Sequence, residues 1–269
     1  MNSFDQDISL TRVSASEFQV QISDAWQVNV GPNGGYIAAI LLHATKQRLV
    51  DTQVRSFNCH FLSASVPGPA TVSVSLEKSG RTISTVTAKL RQADRTIALA
   101  VANFANSRDV FSHTEVNMPV VPAPDTIPKK NRMNPDMSFF SAFRSQYDQR
   151  LAIGPLPPAI EKKSRVGGWT RFAEPRPFDD LGLLAISDSW YPSIMSITDE
   201  AIHAPTIDHT VHFLHPLPLV QANGFVLVSF QSEIALDGYL IEDGFIWSES
   251  GTLLARSRQL AIILERSTT

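Results

Sequence analysis

The chain has 269 residues, of which 43% are hydrophobic and 18% charged, a composition typical of globular proteins. Its formal net charge of -3 gives no indication of a general binder of nucleic acid or of a membrane surface. Cys59 is the only cysteine, which excludes an intramolecular disulfide and a cysteine-rich zinc site. The first residues lack the basic and apolar regions of a signal peptide, and no apolar run suits a membrane helix. We therefore expect a cytoplasmic protein.

The first half of the chain predicts a strand, a helix and then a series of strands. Residues 18–22 alternate between apolar and polar, as a half-buried strand does. The turn cluster GPNGGY precedes residues 36–49, which lack proline and glycine and predict a helix. Because this helix is apolar on most sides at its start, we expect other elements to enclose it. Four segments rich in Val, Thr, Ile and Phe follow, an order typical of an α+β fold.

The second half repeats this order of elements. Residues 111–136 are proline-rich without periodicity and predict a linker between repeats at 1–110 and 137–269. After two strand-like segments, residues 177–190 predict a helix, and four further strand-like segments follow. The triplet HFL occurs at 60–62 and 212–214, and residues 95–104 match 251–260 at nearly the same separation. The shared order and spacing indicate an internal duplication.

Several of these segments resemble a known family. GPNGGYIAAILLHA is similar to the helix start of hotdog acyl-CoA thioesterases, and TIDHTVHFLHPLP followed by SESGTLLARSRQLAII resembles the second half of the thioesterase II family. The resemblance covers residues 13–264. It implies an α+β double hotdog, in which each repeat has a long helix wrapped by a curved antiparallel β-sheet. It also implies hydrolysis of acyl-CoA to free acid and CoA without a cofactor, and leaves a homo-oligomer of such chains open.

The resemblance also implies a set of catalytic residues. It places Asp208, Gln259 and a serine or threonine around the attacking water, and the third position falls on either Ser232 or Glu233. A carboxylate can hold the water or accept its proton, and an amide can both donate and accept hydrogen bonds. The alternative is that Asp208 is a turn residue and that Gln259 lies in an alternating exposed stretch.

The helix start is the candidate substrate-binding segment. Backbone N–H groups in a first helical turn can bind the negative charge that develops on a thioester oxygen. Asn33 is the candidate N-cap, Gly34 and Gly35 permit a close approach, and Tyr36 completes the turn. These glycines could instead serve only the turn into the helix.

The first repeat lacks an acid at the equivalent place. Ser56 stands where the second repeat has Asp208, and Asn103 stands where it has Gln259. We therefore expect one working site per chain. The three histidines between residues 209 and 215 do not indicate a metal site, because strand alternation turns the middle one away and leaves the others about 20 Å apart.

Three other functions compete with this interpretation. A hotdog hydratase is disfavoured because no histidine follows an aspartate by five residues, and a serine hydrolase because no G-x-S-x-G sequence occurs. A non-catalytic hotdog protein that binds acyl-CoA or another hydrophobic ligand stays as the alternative, because a fold does not determine function.

Overall fold

The computed structural model describes residues 2–28, 31–49, 52–133, 142–200, 202–215 and 222–264. The elements of the first half are α1 Ser3–Asp7, β1 Thr11–Arg12, β2 Glu17–Ile22, β3 Gln27–Val28, β4 Gly31–Pro32, α2 Gly34–Lys46, β5 Val54–Phe61, β6 Gly68–Lys78, β7 Ser84–Gln92 and β8 Arg95–Phe104. Those of the second half are β9 Tyr147–Ile153, β10 Arg165–Phe172, α3 Asp180–Ile186, β11 Thr206–Phe213, β12 Val226–Leu236, β13 Tyr239–Ser248 and β14 Leu253–Ile262. Short 3-10 helices span Asp24–Trp26, Pro124–Thr126, Lys129–Asn131, Ala142–Gln146 and Ser193–Ser196.

Twelve strands of the described ranges form one antiparallel sheet. Their order is β1-β2-β6-β7-β8-β5-β11-β14-β13-β12-β10-β9. The two halves meet where β5 pairs with β11, with Val211 opposite Phe57. Strands β3 and β4 form a separate two-stranded ribbon just before α2. The large antiparallel sheet with few helices is consistent with two hotdog units joined edge to edge.

Helix α2 is enclosed, as the sequence predicted. Most of its residues are buried, and it contacts α3 and strands β5 to β8. Asn33 is its N-cap, since the Asn33 side chain accepts a hydrogen bond from the backbone N–H of Tyr36. The prediction of a helix here and of an asparagine cap is confirmed, although the helix ends at Lys46 and not at residue 49.

The helix of the second half is short. Helix α3 has seven residues, so the expectation of a long helix in each repeat is not confirmed. Asp179 caps its first turn through the N–H of Gly182. At its other end, the Ser187 hydroxyl donates to the Leu184 carbonyl at 2.7 Å, and Asp188 turns toward α2.

Both helices share one apolar core with the sheet. The core includes Ile40 of α2, Leu184 of α3, and side chains from strands of both halves such as Phe57 and Val211. The proline-rich segment before β9 lies against β9 and β10, where Trp169 Nε1 donates to the Pro122 carbonyl at 2.8 Å. Within the described residues, no helix has the length and apolarity needed to cross a membrane.

Candidate active site

The start of α2 lies against the end of α3. Asn33 Nδ2 donates to the Asp188 carbonyl at 2.8 Å and to Asp188 Oδ2 at 3.1 Å. The Gly35 backbone N–H donates to the same Oδ2 at 2.9 Å. A Cβ at Gly35 would lie 2.5 Å from the Ala185 carbonyl oxygen, so glycine is what lets the two helices approach this closely.

The carboxyl group of Asp188 has a raised pKa. Removal from water raises its pKa to about 7, and the negative charge of Glu242 acts in the same direction. The hydrogen bonds from Gly35 and Asn33 and the charge of Arg144 oppose this shift only in part. Taken over the whole residue, Asp188 is partly exposed.

A row of polar side chains crosses the helix-facing side of the sheet beside Asp188. His209 of β11 pairs with Cys59 of β5 on one side and with Gln259 of β14 on the other. Gln259 in turn pairs with Glu242 of β13. Side chains of directly opposite residues share one face of a sheet, so these four residues point to the same side.

Glu242 is the centre of a hydrogen-bond network in this row. Its carboxylate accepts from Gln259 Nε2 at 2.8 Å and from the Ser193 backbone N–H at 2.6 Å. Gln259 Oε1 accepts from the Thr206 hydroxyl at 3.1 Å, and the Ser193 hydroxyl donates to Ser232 Oγ at 3.0 Å. Burial raises the pKa of Glu242, while its hydrogen bonds to Ser193, Gln259 and Ser232 work against the rise.

His209 links this row to α3. It is almost fully buried, and burial lowers its pKa to about 4, which leaves the ring neutral at pH 7. Because the Ser187 hydroxyl already donates to Leu184, the His209 Nε2, 3.1 Å from Ser187 Oγ, is assigned as the protonated nitrogen. His209 Nδ1 has no hydrogen-bond partner among the described residues.

The structure brings together Gln259 and Ser232 but not Asp208. Asp208 pairs with His60 and Leu260, one position along from the row that contains His209 and Gln259. Since successive side chains of a strand alternate, Asp208 projects to the opposite face of the sheet. A register shift between Thr206 and Asp208 lets Thr206, and not Asp208, reach Gln259.

The remaining predicted residues lie as follows. Ser232 is buried in the Glu242 network, whereas Glu233, the alternative at that position, is exposed. The Tyr36 phenol is stacked on Trp26 with ring centroids 5.1 Å apart and donates to the Asp7 carbonyl at 2.9 Å. The backbone N–H of Tyr36 is bound by Asn33, so neither polar group of Tyr36 is free for a ligand.

Sequence reasoning missed Asp188 and Glu242. Glu242 had a signal, because it is an acid at an inward position of an alternating strand, between Leu240 and Gly244. Asp188 falls inside the segment 177–190 that predicts a helix, near its end, where an acidic residue gives no distinct signal. Its contact with Gly35 joins the two halves of the chain, and no local pattern predicts it.

Comparisons with solved structures define the class of fold. A conserved protein of unknown function with a hot dog fold from Alicyclobacillus acidocaldarius is 25% identical, with a TM-score of 0.89 over 99% of this chain and 100% of that one. The acyl-CoA thioesterase II TesB2 from Mycobacterium marinum is 21% identical, with a TM-score of 0.78 over 99% and 100%. The tesB protein of Mycobacterium avium subs paratuberculosis is 20% identical, with a TM-score of 0.76 over 97% and 98%. The chain therefore has a hotdog fold.

Family models identify the chain more closely. The acyl-CoA thioesterase N-terminal domain matches residues 22–105, and the acyl-CoA thioesterase C-terminal domain matches residues 120–263. The chain belongs to this acyl-CoA thioesterase family and is a thioester hydrolase. A search of curated proteins gives no match.

Proposed function

We propose that the chain hydrolyses acyl-CoA thioesters to the free acid and CoA, with water held by Gln259. Gln259 is fixed by Thr206 at its oxygen and by Glu242 at its nitrogen. An amide has two acceptor sites and two N–H donors, so one of each stays available for a water molecule. Gln259 is also partly exposed, which gives water access to it. This fixed, accessible amide is the observation that carries the proposal.

Ser232 supports the same arrangement from the far side of Glu242. Its hydroxyl is joined to Glu242 through Ser193, so Ser232 is assigned a positioning role. The family resemblance assigns to Asp208 the carboxylate that holds the attacking water. The Asp208 side chain, however, projects from the opposite face of the sheet. Asp208 is accordingly the residue for which the proposal requires a direct test.

We also propose that the chain consists of two repeats, at 1–110 and 137–269, joined by a linker at 111–136, and that it has one working site. The first-repeat counterparts Ser56 and Asn103 hydrogen-bond to each other at 3.0 Å, and Thr85 donates to Asn103 at 2.8 Å. This neutral group contains no carboxylate to activate water. We propose an acyl-CoA substrate on the basis of the family and a cytoplasmic location on the basis of the sequence.

The test is hydrolysis by the purified protein of acyl-CoA substrates over a range of chain lengths, followed with a thiol reagent. Replacing Gln259 with alanine should lower kcat/KM by about 10² or more, as expected when a group that orients the reacting water is removed. Gln19→Ala, at an exposed position of β2, is the matched control and should keep wild-type activity.

One outcome would decide the role of Asp208, and another would contradict the proposal as a whole. Undiminished activity of Asp208→Ala would remove Asp208 from the mechanism. If the wild-type protein hydrolyses no thioester but binds acyl-CoA measurably, the non-catalytic binding protein becomes the correct description.

A further inference from the structure

A cleft lies at the end of the sheet where β5 begins. Its volume is about 390 Å³, and it is lined by β5, by the turn before β7, by the segment after β8 and by the residue that follows β11. Its cationic and polar lining side chains are Arg55, Thr82, Asn106, Ser107 and Arg108. Its apolar walls are Ile83 and Leu214, which are exposed to 45% and 43%. No acidic residue is among the described residues that line it.

Arg55 is held in this cleft by neutral groups. Its Nε donates to the Ala105 carbonyl at 3.0 Å, and its Nη2 donates to Gln53 Oε1 at 2.8 Å and to Ser107 Oγ at 3.0 Å. Within the described ranges its Nη1 donates to no residue, and neither Arg55 nor Arg108 forms an ion pair. A half-buried positive charge is thus fixed in place without a counter-charge, and one of its nitrogen atoms has two N–H groups left to donate.

The internal duplication relates this cleft to the working half of the chain. The same register shift occurs at residues 54–56 of β5 and at residues 206–208 of β11. Arg55 is therefore the extra residue of the first-repeat strand at the place where Ile207 is the extra residue of the second, and such a bulge redirects a side chain. Cys59, in the row that contains Gln259, lies four residues further along β5 and about 13 Å away. The cleft is a separate place in the molecule.

We propose that this cleft is a second binding site, separate from the site of hydrolysis, for the phosphate group of a small-molecule ligand. Phosphate oxygens accept several hydrogen bonds at once, and a guanidinium presents paired N–H donors that fit them. Arg55 Nη1 supplies the fixed charge, and Arg108 supplies the second charge. The Thr82 hydroxyl and the Asn106 amide, which bind no other described residue, supply further donors.

The apolar walls favour a nucleotide over free phosphate. Ile83 and Leu214 line the same cleft as the charged groups, so the ring system of a nucleotide can cover them while its phosphate contacts the arginines. The competing role of Arg55 is purely structural, because its hydrogen bonds tie the segment after β8 to the start of β5. A purely structural arginine would leave the affinity for phosphate unchanged in any folded variant.

The experiment measures the binding of inorganic phosphate and of ADP by isothermal titration calorimetry, with the ionic strength held constant by sodium chloride. Arg55→Gln should weaken both by about 10- to 100-fold, because a charged donor to the phosphate is lost. Arg108→Gln, at an exposed position, should weaken both by about 3- to 10-fold. Arg91→Gln is the matched control, since it removes the same charge from an exposed position near the far end of β7, and it should bind as wild type does.

Gln259→Ala distinguishes the cleft from the site of hydrolysis. It should bind both probes with wild-type affinity, because Gln259 contacts Thr206 and Glu242 and does not line the cleft. Loss of phosphate binding in this variant would overturn the proposal by assigning the anion to the site of hydrolysis. None of these measurements requires turnover, so their outcome is independent of the proposed function.

The remaining outcomes also decide the proposal. Equal affinity of wild type and a folded Arg55→Gln would overturn it, and so would the absence of binding of either probe to wild type at about 10 mM. If Arg55→Gln does not fold, Arg108→Gln decides, and wild-type affinity in that variant would overturn the site. ADP should bind about 10-fold more tightly than inorganic phosphate. Equal affinities would support the anion site with free phosphate as its ligand, and would remove the apolar walls from it.

Discussion

Replacing Gly35 with alanine, which adds one methyl group, tests how closely α2 and α3 are packed. In Gly35→Ala the new Cβ would lie 2.5 Å from the Ala185 carbonyl oxygen and 3.1 Å from Asp188 Cβ. The first contact is with backbone, which cannot rotate away as a side chain can. The helices would have to separate, and the hydrogen bond between the Gly35 N–H and Asp188 would lengthen with them.

The size of the effect follows from two opposing terms. Forcing an extra carbon into a packed contact costs about 1–3 kcal/mol. Alanine is intrinsically better in a helix than glycine by up to about 1 kcal/mol. Gly34→Ala receives the same intrinsic gain, but its Cβ would meet only the ends of two side chains, Asp188 Oδ2 at 2.9 Å and Phe61 Cζ at 3.0 Å. The difference in unfolding free energy between the two variants should therefore be about 1–3 kcal/mol, with Gly35→Ala the less stable.

Urea unfolding of wild type and both variants, at one pH and one protein concentration, measures this difference. The comparison cancels most of the helix-propensity term, because both substitutions are glycine to alanine in the first turn of α2. Equal stability of Gly34→Ala and Gly35→Ala would refute the close contact between α2 and α3, and with it the geometry assigned to Asp188.

Two further predictions concern buried groups away from the reacting atoms. Cys59 is fully buried, and burial raises its pKa. The native protein should therefore not react with a thiol reagent, whereas in the urea-unfolded protein one thiol per chain should react. Rapid reaction of the native protein would show that the interior between β5 and β11 opens. Trp190→Phe should destabilise the fold by about 1–3 kcal/mol, because Trp190 Nε1 donates at 2.9 Å to the buried hydroxyl of Thr170 and no other donor replaces it. A denaturation midpoint equal to that of wild type would contradict this account.

Local sequence patterns were sufficient to predict most of the helices and strands. Alternation over residues 18–22 predicts β2, and an apolar run without proline predicts α2 together with its cap Asn33. The order of elements and the repeated HFL triplet indicated the duplication. The length of α3 was not predictable in this way, because Ser187, Asp188 and Trp190 leave the helix to contact residues that are distant in the sequence, in β11, α2 and β10.

The candidate site was predicted in part. Gln259 and Ser232 lie in one hydrogen-bond network, and Asn33 caps α2, but the contacts that organise them come from Glu242 and Asp188. Asp208 illustrates why strand position alone is insufficient. One extra residue between Thr206 and Asp208 reverses which side chains face the helices, and a register shift of this kind has no signature in an alternating sequence.

The sequence by itself determined where strands and helices form, which faces are apolar and to which family the motifs are similar, because these depend on neighbours along the chain. Only the tertiary structure decided which polar groups meet. Asp188 reaches Gly35 across the contact between the two halves, and the row from Cys59 to Glu242 depends on the pairing of four strands. Such contacts are set by the packing of distant segments around one core, and that packing also removes the carboxyl of Asp188 from water and raises its pKa.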